Sequence, residues 1–143
     1  EEDREQFLKL FEEEKFDGSL IGMCVTGGIF SEGIDLKNDS LIGAVIVGTG
    51  LPMICRERNI LRDYFDANDK DGYSYAYVYP GMNKVLQAAG RVIRTDEDRG
   101  VIELLDDRFL RPEYQKMYPR EWENVISVRR ENVRKQLDIF WKN

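Results

Sequence analysis

The segment Thr26-Gly27-Gly28-Ile29-Phe30-Ser31-Glu32-Gly33-Ile34-Asp35-Leu36 follows directly on an apolar run, Leu20-Ile21-Gly22-Met23-Cys24-Val25. Apolar residues on consecutive positions read as a strand covered on both faces, and ligands of open α/β sheets bind beyond the carboxyl ends of such strands. A glycine-containing loop there can turn backbone N–H groups toward phosphate. The spacing is neither GxGxxG nor GxxxxGK[ST], and no Gly-Lys pair occurs in the chain. By themselves these glycines read as turn formers or as a phosphate cradle.

Working outward, short apolar runs at 44–47, 75–79 and 101–105 read as further strands, and 56–65 and 83–93 have helical composition. Strands alternating with helices predict a mostly parallel sheet flanked by helices, an α/β fold. Phe7, Leu8, Leu10 and Phe11 recur at helical spacing before Asp17-Gly18, which predicts a short amphipathic helix at the start. From about residue 121, Val125, Ile126, Val133, Leu137, Phe140 and Trp141 predict a closing amphipathic helix. With 143 residues, the chain reads as a single domain over 1–143.

Hydrophobic residues at 42% suffice for a packed core, so the chain is not a disordered one. The net charge of -6 excludes a simple basic DNA-binding module. That acidity is local: of 27 acidic and 21 basic side chains, residues 1–40 hold 11 and 4, leaving 16 and 17 for the remainder. Two cysteines, Cys24 and Cys55, and no histidine leave no ligand quartet for a structural metal, so no metal site is expected. No apolar stretch approaches the ~20 residues of a membrane span. The expected location is the cytoplasm, with both thiols reduced. The polar stretch 66–72 resembles a calcium loop, but aligning Gly72 with the loop glycine puts Ala67 and Val78 where carboxylates belong. It reads instead as a solvated turn leading into the strand at 75–79.

The second informative segment is Gln87-Ala88-Ala89-Gly90-Arg91-Val92-Ile93-Arg94. On a continuous helix Gln87, Arg91 and Arg94 share one face, since they are spaced four, three and seven apart. Two guanidiniums on one face suit phosphate, and equally a solvated or salt-bridged surface.

Together and in this order, the two segments resemble motifs V and VI of superfamily 2 helicases, and more narrowly the DinG and XPD type. Phe30-Ser31-Glu32-Gly33-Ile34-Asp35-Leu36 is similar to that group's SEGID motif, Gln87 to Arg94 to its QxxGRxxR helix, and Tyr79-Pro80-Gly81-Met82-Asn83-Lys84 looks DinG-like. The resemblance runs from about residue 22 to 122. It implies the second, C-terminal RecA-like domain of an ATP-dependent DNA helicase, lacking its first strand or strands and cut from a longer protein. Nucleotide then lies in a cleft shared with an N-terminal RecA-like motor domain, the partner that supplies the phosphate loop and holds most of the ATP and Mg2+. The resemblance assigns catalysis to Gln87, Arg91 and Arg94, the arginines as fingers and Gln87 ordering water or the cleft. It assigns Gly33 and Asp35 to the nucleotide edge, and Ser31 and Glu32 to single-stranded DNA.

Translocation 5' to 3' and a role in DNA repair are further implications, and the isolated chain is expected to be inactive. An iron-sulfur cluster, if the full-length protein has one, is not in this chain. A RecA-like interaction module with an inactive motor, a helicase fused to a nuclease, or an RNA track remain open alternatives. Trp122 and Trp141 read as packing anchors, and Arg129, Arg130, Arg134 and Lys135 as a solvated basic face. Asp106, Asp107 and Arg108 read as a loop with local pairing. Arg56 and Arg58 open a helix and could meet nucleic acid.

Overall fold

The computed structural model describes residues 2–12, 18–28, 41–93, 95, 98–122 and 124–142. Among them, two parallel strands form the sheet, β1 (Gly43–Val47) and β2 (Val101–Leu105), in register from Gly43 opposite Val101 to Val47 opposite Leu105. Parallel neighbours need a long crossover. Here it consists of α2 (Arg56–Asp66), a π-helical turn (Ser74–Val78) and α3 (Tyr79–Ala89). Helix α1 (Glu2–Glu12) precedes the sheet. A 3-10 turn (Asp107–Leu110), α4 (Pro112–Gln115) and α5 (Val133–Lys142) follow it. The strands expected at 44–47 and 101–105 and the helix expected at 56–65 are all present.

One face of the sheet builds the core. Ile46 is buried with Val78, Met82, Val85 and Ala89 of the helical crossover and with Phe109 and Tyr114, and Ile102, Leu104 and Trp122 pack against this cluster. Met82 and Val85 are fully buried. Removing a side chain of this size from water contributes roughly 1.5–3 kcal/mol each. The opposite face is more open, with Val45 and Val47 largely exposed. Trp122 is thus a packing anchor, its ring 5.2 Å from that of Tyr118.

The run 75–79 is helical, contrary to the strand its alternating Tyr-Ala-Tyr-Val-Tyr pattern predicts. Asp71 starts the helix: its carboxylate accepts from Ser74 N–H at 3.1 Å and from the Ser74 hydroxyl at 2.6 Å, and these bonds lower its pKa, the hydroxyl first. The tyrosines then meet at helical spacing, with Tyr73 stacked on Tyr77 and Tyr75 edge-on to Tyr79. Pro80 has no N–H to give to the carbonyl four residues earlier, which belongs to Ala76. Arg58 supplies the missing donor, its Nη1 lying 2.7 Å from Ala76 O. Arg58 is therefore committed to the fold. Arg58→Ala is expected to destabilise the chain by about 1.5–3 kcal/mol, the range for a hydrogen bond with a charged donor, measured as a lower urea midpoint at unchanged slope.

The polar stretch 66–72 is a turn, as expected, but it joins two helices. Asp66 Oδ1 accepts from Gly72 N–H at 2.8 Å, and a side-chain carbon at Gly72 would overlap Arg62 O, so α2 and the following helix come together where only glycine fits.

Three further expectations need correction. The run 20–25 pairs with neither strand: Ile21, Met23 and Val25 are exposed, and Gly22 lies against the rings of Phe7 and Phe11 of α1. The helix expected at 83–93 begins earlier and ends at Ala89. The closing helix begins at Val133 rather than near 121, and Val125 and Ile126 are exposed. Before it, Asn132 Oδ1 accepts from Arg129 N–H at 2.7 Å, a side-chain-to-backbone bond that holds a turn where a helix would otherwise continue.

Candidate functional site

Two loops meet α3 at Lys84. The first descends from β1: Gly50 has φ 63°, and a side-chain carbon there would sit 2.8 Å from Gly81 O and 3.6 Å from Lys84 Cβ. The second is the start of the 26–36 segment. Gly27 has φ 80°, and a side-chain carbon on it would sit 3.0 Å from Lys84 Cδ. Both positions need glycine for backbone conformation and for space. From the helix side Gly81 returns the contact, since a carbon on it would stand 2.6 Å from Thr49 O and 3.1 Å from Leu51 N. Three glycines therefore bring the loop after β1 and the loop opening at Thr26 onto one turn of α3.

Gln87 lies one turn beyond Lys84 on the same helix and is exposed. Helix α3 then closes with Gly90 as cap, at φ -66° and ψ 0°, its N–H donating to Leu86 O. Arg91 N–H donates to Ala88 O at 3.2 Å and Val92 N–H to Ala89 O at 3.1 Å, so the chain tightens to a three-residue repeat. The expectation that Gln87, Arg91 and Arg94 project from one face of a single helix is thus corrected: the α-helix ends before Arg91. Arg91 is half-buried and Val92 is buried. Ser31, Glu32, Gly33, Asp35 and Arg94 lie outside the described residues.

Beyond β2, Asp106 and Arg108 form a bidentate pair, Nε to Oδ1 at 2.8 Å and Nη2 to Oδ2 at 2.7 Å, and Asp106 Oδ1 also accepts from Arg108 N–H at 2.9 Å. The Arg108 side chain, first of all, holds the Asp106 carboxyl down to about 2. This is the local pairing expected at 106–108. The ends of the two strands are tied where Gly48 N–H donates to Leu105 O at 3.1 Å.

The arrangement is cationic beside glycine loops at the carboxyl end of β1, a setting that suits an anion. Among the described residues, no cluster of three or more His, Cys, Asp or Glu side chains is placed to hold a metal ion, and no helix is long and apolar enough to cross a membrane. Lys84 has no role in the sequence reading, although it stands three residues before Gln87. The signal that could have found it is the pairing of Gly48-Thr49-Gly50 with Pro80-Gly81, two small-residue stretches suited to a close loop-helix contact.

A family model described as the helicase C-terminal domain matches residues 1–125. The chain belongs to that family. A Methanocaldococcus jannaschii protein described as a probable ATP-dependent helicase is 31% identical over 67% of this chain. A Caenorhabditis elegans homolog of regulator of telomere elongation helicase 1 is 30% identical over 80%. The ATP-dependent DNA helicase DinG of Photobacterium profundum is 32% identical over 62%. The aligned parts make up 16%, 12% and 13% of these relatives. As a helicase C-terminal domain of the DinG and XPD type, the chain has an α/β, RecA-like fold, and its parallel pair with flanking helices is the part of that fold that carries the Lys84 junction. The family match stops short of α5.

Proposed function

We propose that residues 1–143 are most of the second motor domain of a DinG-like ATP-dependent DNA helicase. In this reading Arg91 and Arg94 reach the γ-phosphate of an ATP held mainly, with its Mg2+, by a first RecA-like domain of the same protein. Gln87 orders the attacking water or the cleft, and Gly33 and Asp35 lie at the nucleotide edge. Ser31 and Glu32 link that edge to single-stranded DNA, along which the protein moves 5' to 3'. The cellular setting is the cytoplasm, and the task is DNA repair. The observation that carries the reading is the Lys84 junction, where the opening of the 26–36 segment rests on the helix that leads through Gln87 to Arg91. Gly27, at the opening of the first segment, is distant in sequence from the helix that leads into the second, and its contact with Lys84 supports the reading.

The chemistry asked of this chain is charge compensation. In phosphoryl transfer the protein mainly positions groups and offsets charge on the transferred oxygens, which guanidiniums do well. Contacts to DNA would track the backbone, so binding should weaken steeply with salt and depend little on sequence. The full-length protein is expected to hydrolyse ATP faster when single-stranded DNA is added, and the isolated 143-residue chain to hydrolyse none. ATP turnover by the isolated chain that Arg91→Ala abolishes would overturn this division of the site.

A further inference from the structure

Nine residues separate Arg91 from β2, and the described ones are held at several points. Val92 is buried, and a side-chain carbon at Gly100 would overlap its Cγ1, so the end of the connection is pressed onto its beginning. Val101 N–H donates to Ile42 O at 3.0 Å. Between these, Thr95 N–H donates to Asp98 Oδ2 at 2.8 Å and Asp98 N–H to Thr95 O at 3.2 Å, closing a turn. Arg99 then leaves the connection and lies over α5. Its guanidinium carbon is 4.7 Å from the ring centre of Phe140 and 5.6 Å from that of Trp141, and its Nη2 donates to Phe140 O. The two rings meet edge-on at 4.9 Å. Leu137 and Trp141 of α5 line a cleft with Ile42, Val45, Val101 and Glu103 at the sheet.

We propose that Arg99 is a positioning residue for the arginine-bearing turn, clamping the connection that follows Arg91 to the Phe140–Trp141 pair of α5. The inference rests on the reading of Arg91 and Arg94 as groups that act on ATP. The physical argument is one of fixed ends. Arg91 sits past the last α-helical residue, tied back by the turn bonds to Ala88 O and Ala89 O and by the buried Val92, and the next strand begins only at Val101. A cation over two aromatic rings with a hydrogen bond to the same helix supplies the intermediate anchor. Because α5 lies outside the residues matched by the family model, this anchor is supplied by a part of the chain beyond that model. Trp141 thus does more than pack, since it also forms half of the aromatic seat.

The test uses the full-length protein, with ATP hydrolysis stimulated by oligodeoxythymidylate. A small displacement of a group that must meet a transition state lowers turnover by up to about 100-fold, so Arg99→Ala is expected to reduce kcat by roughly 10- to 100-fold. The KM for ATP should stay within about twofold, because the loss falls on the transition state. Arg99→Lys should restore most of the turnover, since an ammonium also sits over aromatic faces. A Phe140→Ala, Trp141→Ala double variant should reproduce the loss. Unchanged kcat in Arg99→Ala, beside an Arg91→Ala variant that has lost turnover, would overturn the positioning role and leave the finger reading standing. A loss that Arg99→Lys fails to restore would also overturn it. Full turnover in an Arg91→Ala, Arg94→Ala variant would overturn the finger reading and this inference with it.

Discussion

Replacing Arg91 with alanine in the full-length protein is expected to lower ATP turnover by roughly 10³- to 10⁵-fold, the contribution of an arginine finger in phosphoryl transfer. The competing explanation of Arg91 is structural. It stands just past the carboxyl end of α3, where a cation favours the helix dipole. That interaction contributes about 0.3–1 kcal/mol at an exposed site. A thousandfold loss of rate corresponds to about 4 kcal/mol, so the two roles differ enough in magnitude to be told apart. Loss of the helix contact would shift the unfolding midpoint slightly and leave turnover close to normal. Loss of the finger would leave stability nearly unchanged and remove turnover, with the KM for ATP altered far less. Arg91→Lys sharpens the comparison, because lysine keeps the charge at the helix end but lacks the planar fork that meets two phosphate oxygens. It should keep the stability and recover little of the rate. Normal turnover in the Arg91→Ala, Arg94→Ala double variant would show that neither guanidinium acts on the nucleotide.

Much of this domain is legible in the sequence, and the exceptions share a physical cause. The two strands of the sheet and helix α2 follow from short-range pattern, since Ala44 to Val47 and Val101 to Leu105 are apolar runs bounded by glycine or charge. Pattern fails at 75–79 because tyrosines four residues apart, which meet along a helix, also fall on one face of a hypothetical strand. What decides between them is the Asp71 cap and the Arg58 donor, and Arg58 lies 18 residues away in sequence. The run 20–25 has strand composition, but pairing depends on a neighbouring edge, which composition does not report. The end of α3 at Ala89 is set by Gly90, which the resemblance to a motif helix leads one to read through. The motif residues themselves were found by resemblance. Lys84 and Arg99 were not, because their roles arise from contacts with Gly27, Gly50, Phe140 and Trp141 that the chain makes only when folded. For Ser31, Glu32, Gly33, Asp35 and Arg94, the reading stands on the motifs alone.

The Lys84 junction carries the second large expected effect. In an ordinary helix, exchanging glycine for alanine gains up to about 1 kcal/mol, because alanine is the better helix former. Gly81→Ala is expected to do the reverse and destabilise the chain by about 1–3 kcal/mol, the range for overfilling a packed site. The new methyl carbon would stand 2.6 Å from Thr49 O, 3.1 Å from Leu51 N and 3.2 Å from the Gly50 carbonyl carbon. All three are backbone atoms, so no side chain can rotate away. Either α3 or the loop after β1 has to move. Met82 and Val85 commit α3 to the core through the next residues, which leaves the loop as the part that yields. Gly50 would then withdraw from Lys84, and the loop after β1 would separate from the helix that leads to Gln87 and Arg91. Gly43→Ala is the matched control, because its nearest contact is Val101 O at 3.4 Å, an ordinary van der Waals distance, and it should change stability by no more than about 1 kcal/mol. Urea unfolding of both variants measures the difference directly. If Gly81→Ala were as stable as the parent chain, the close approach of the loop after β1 to α3 would be absent in solution.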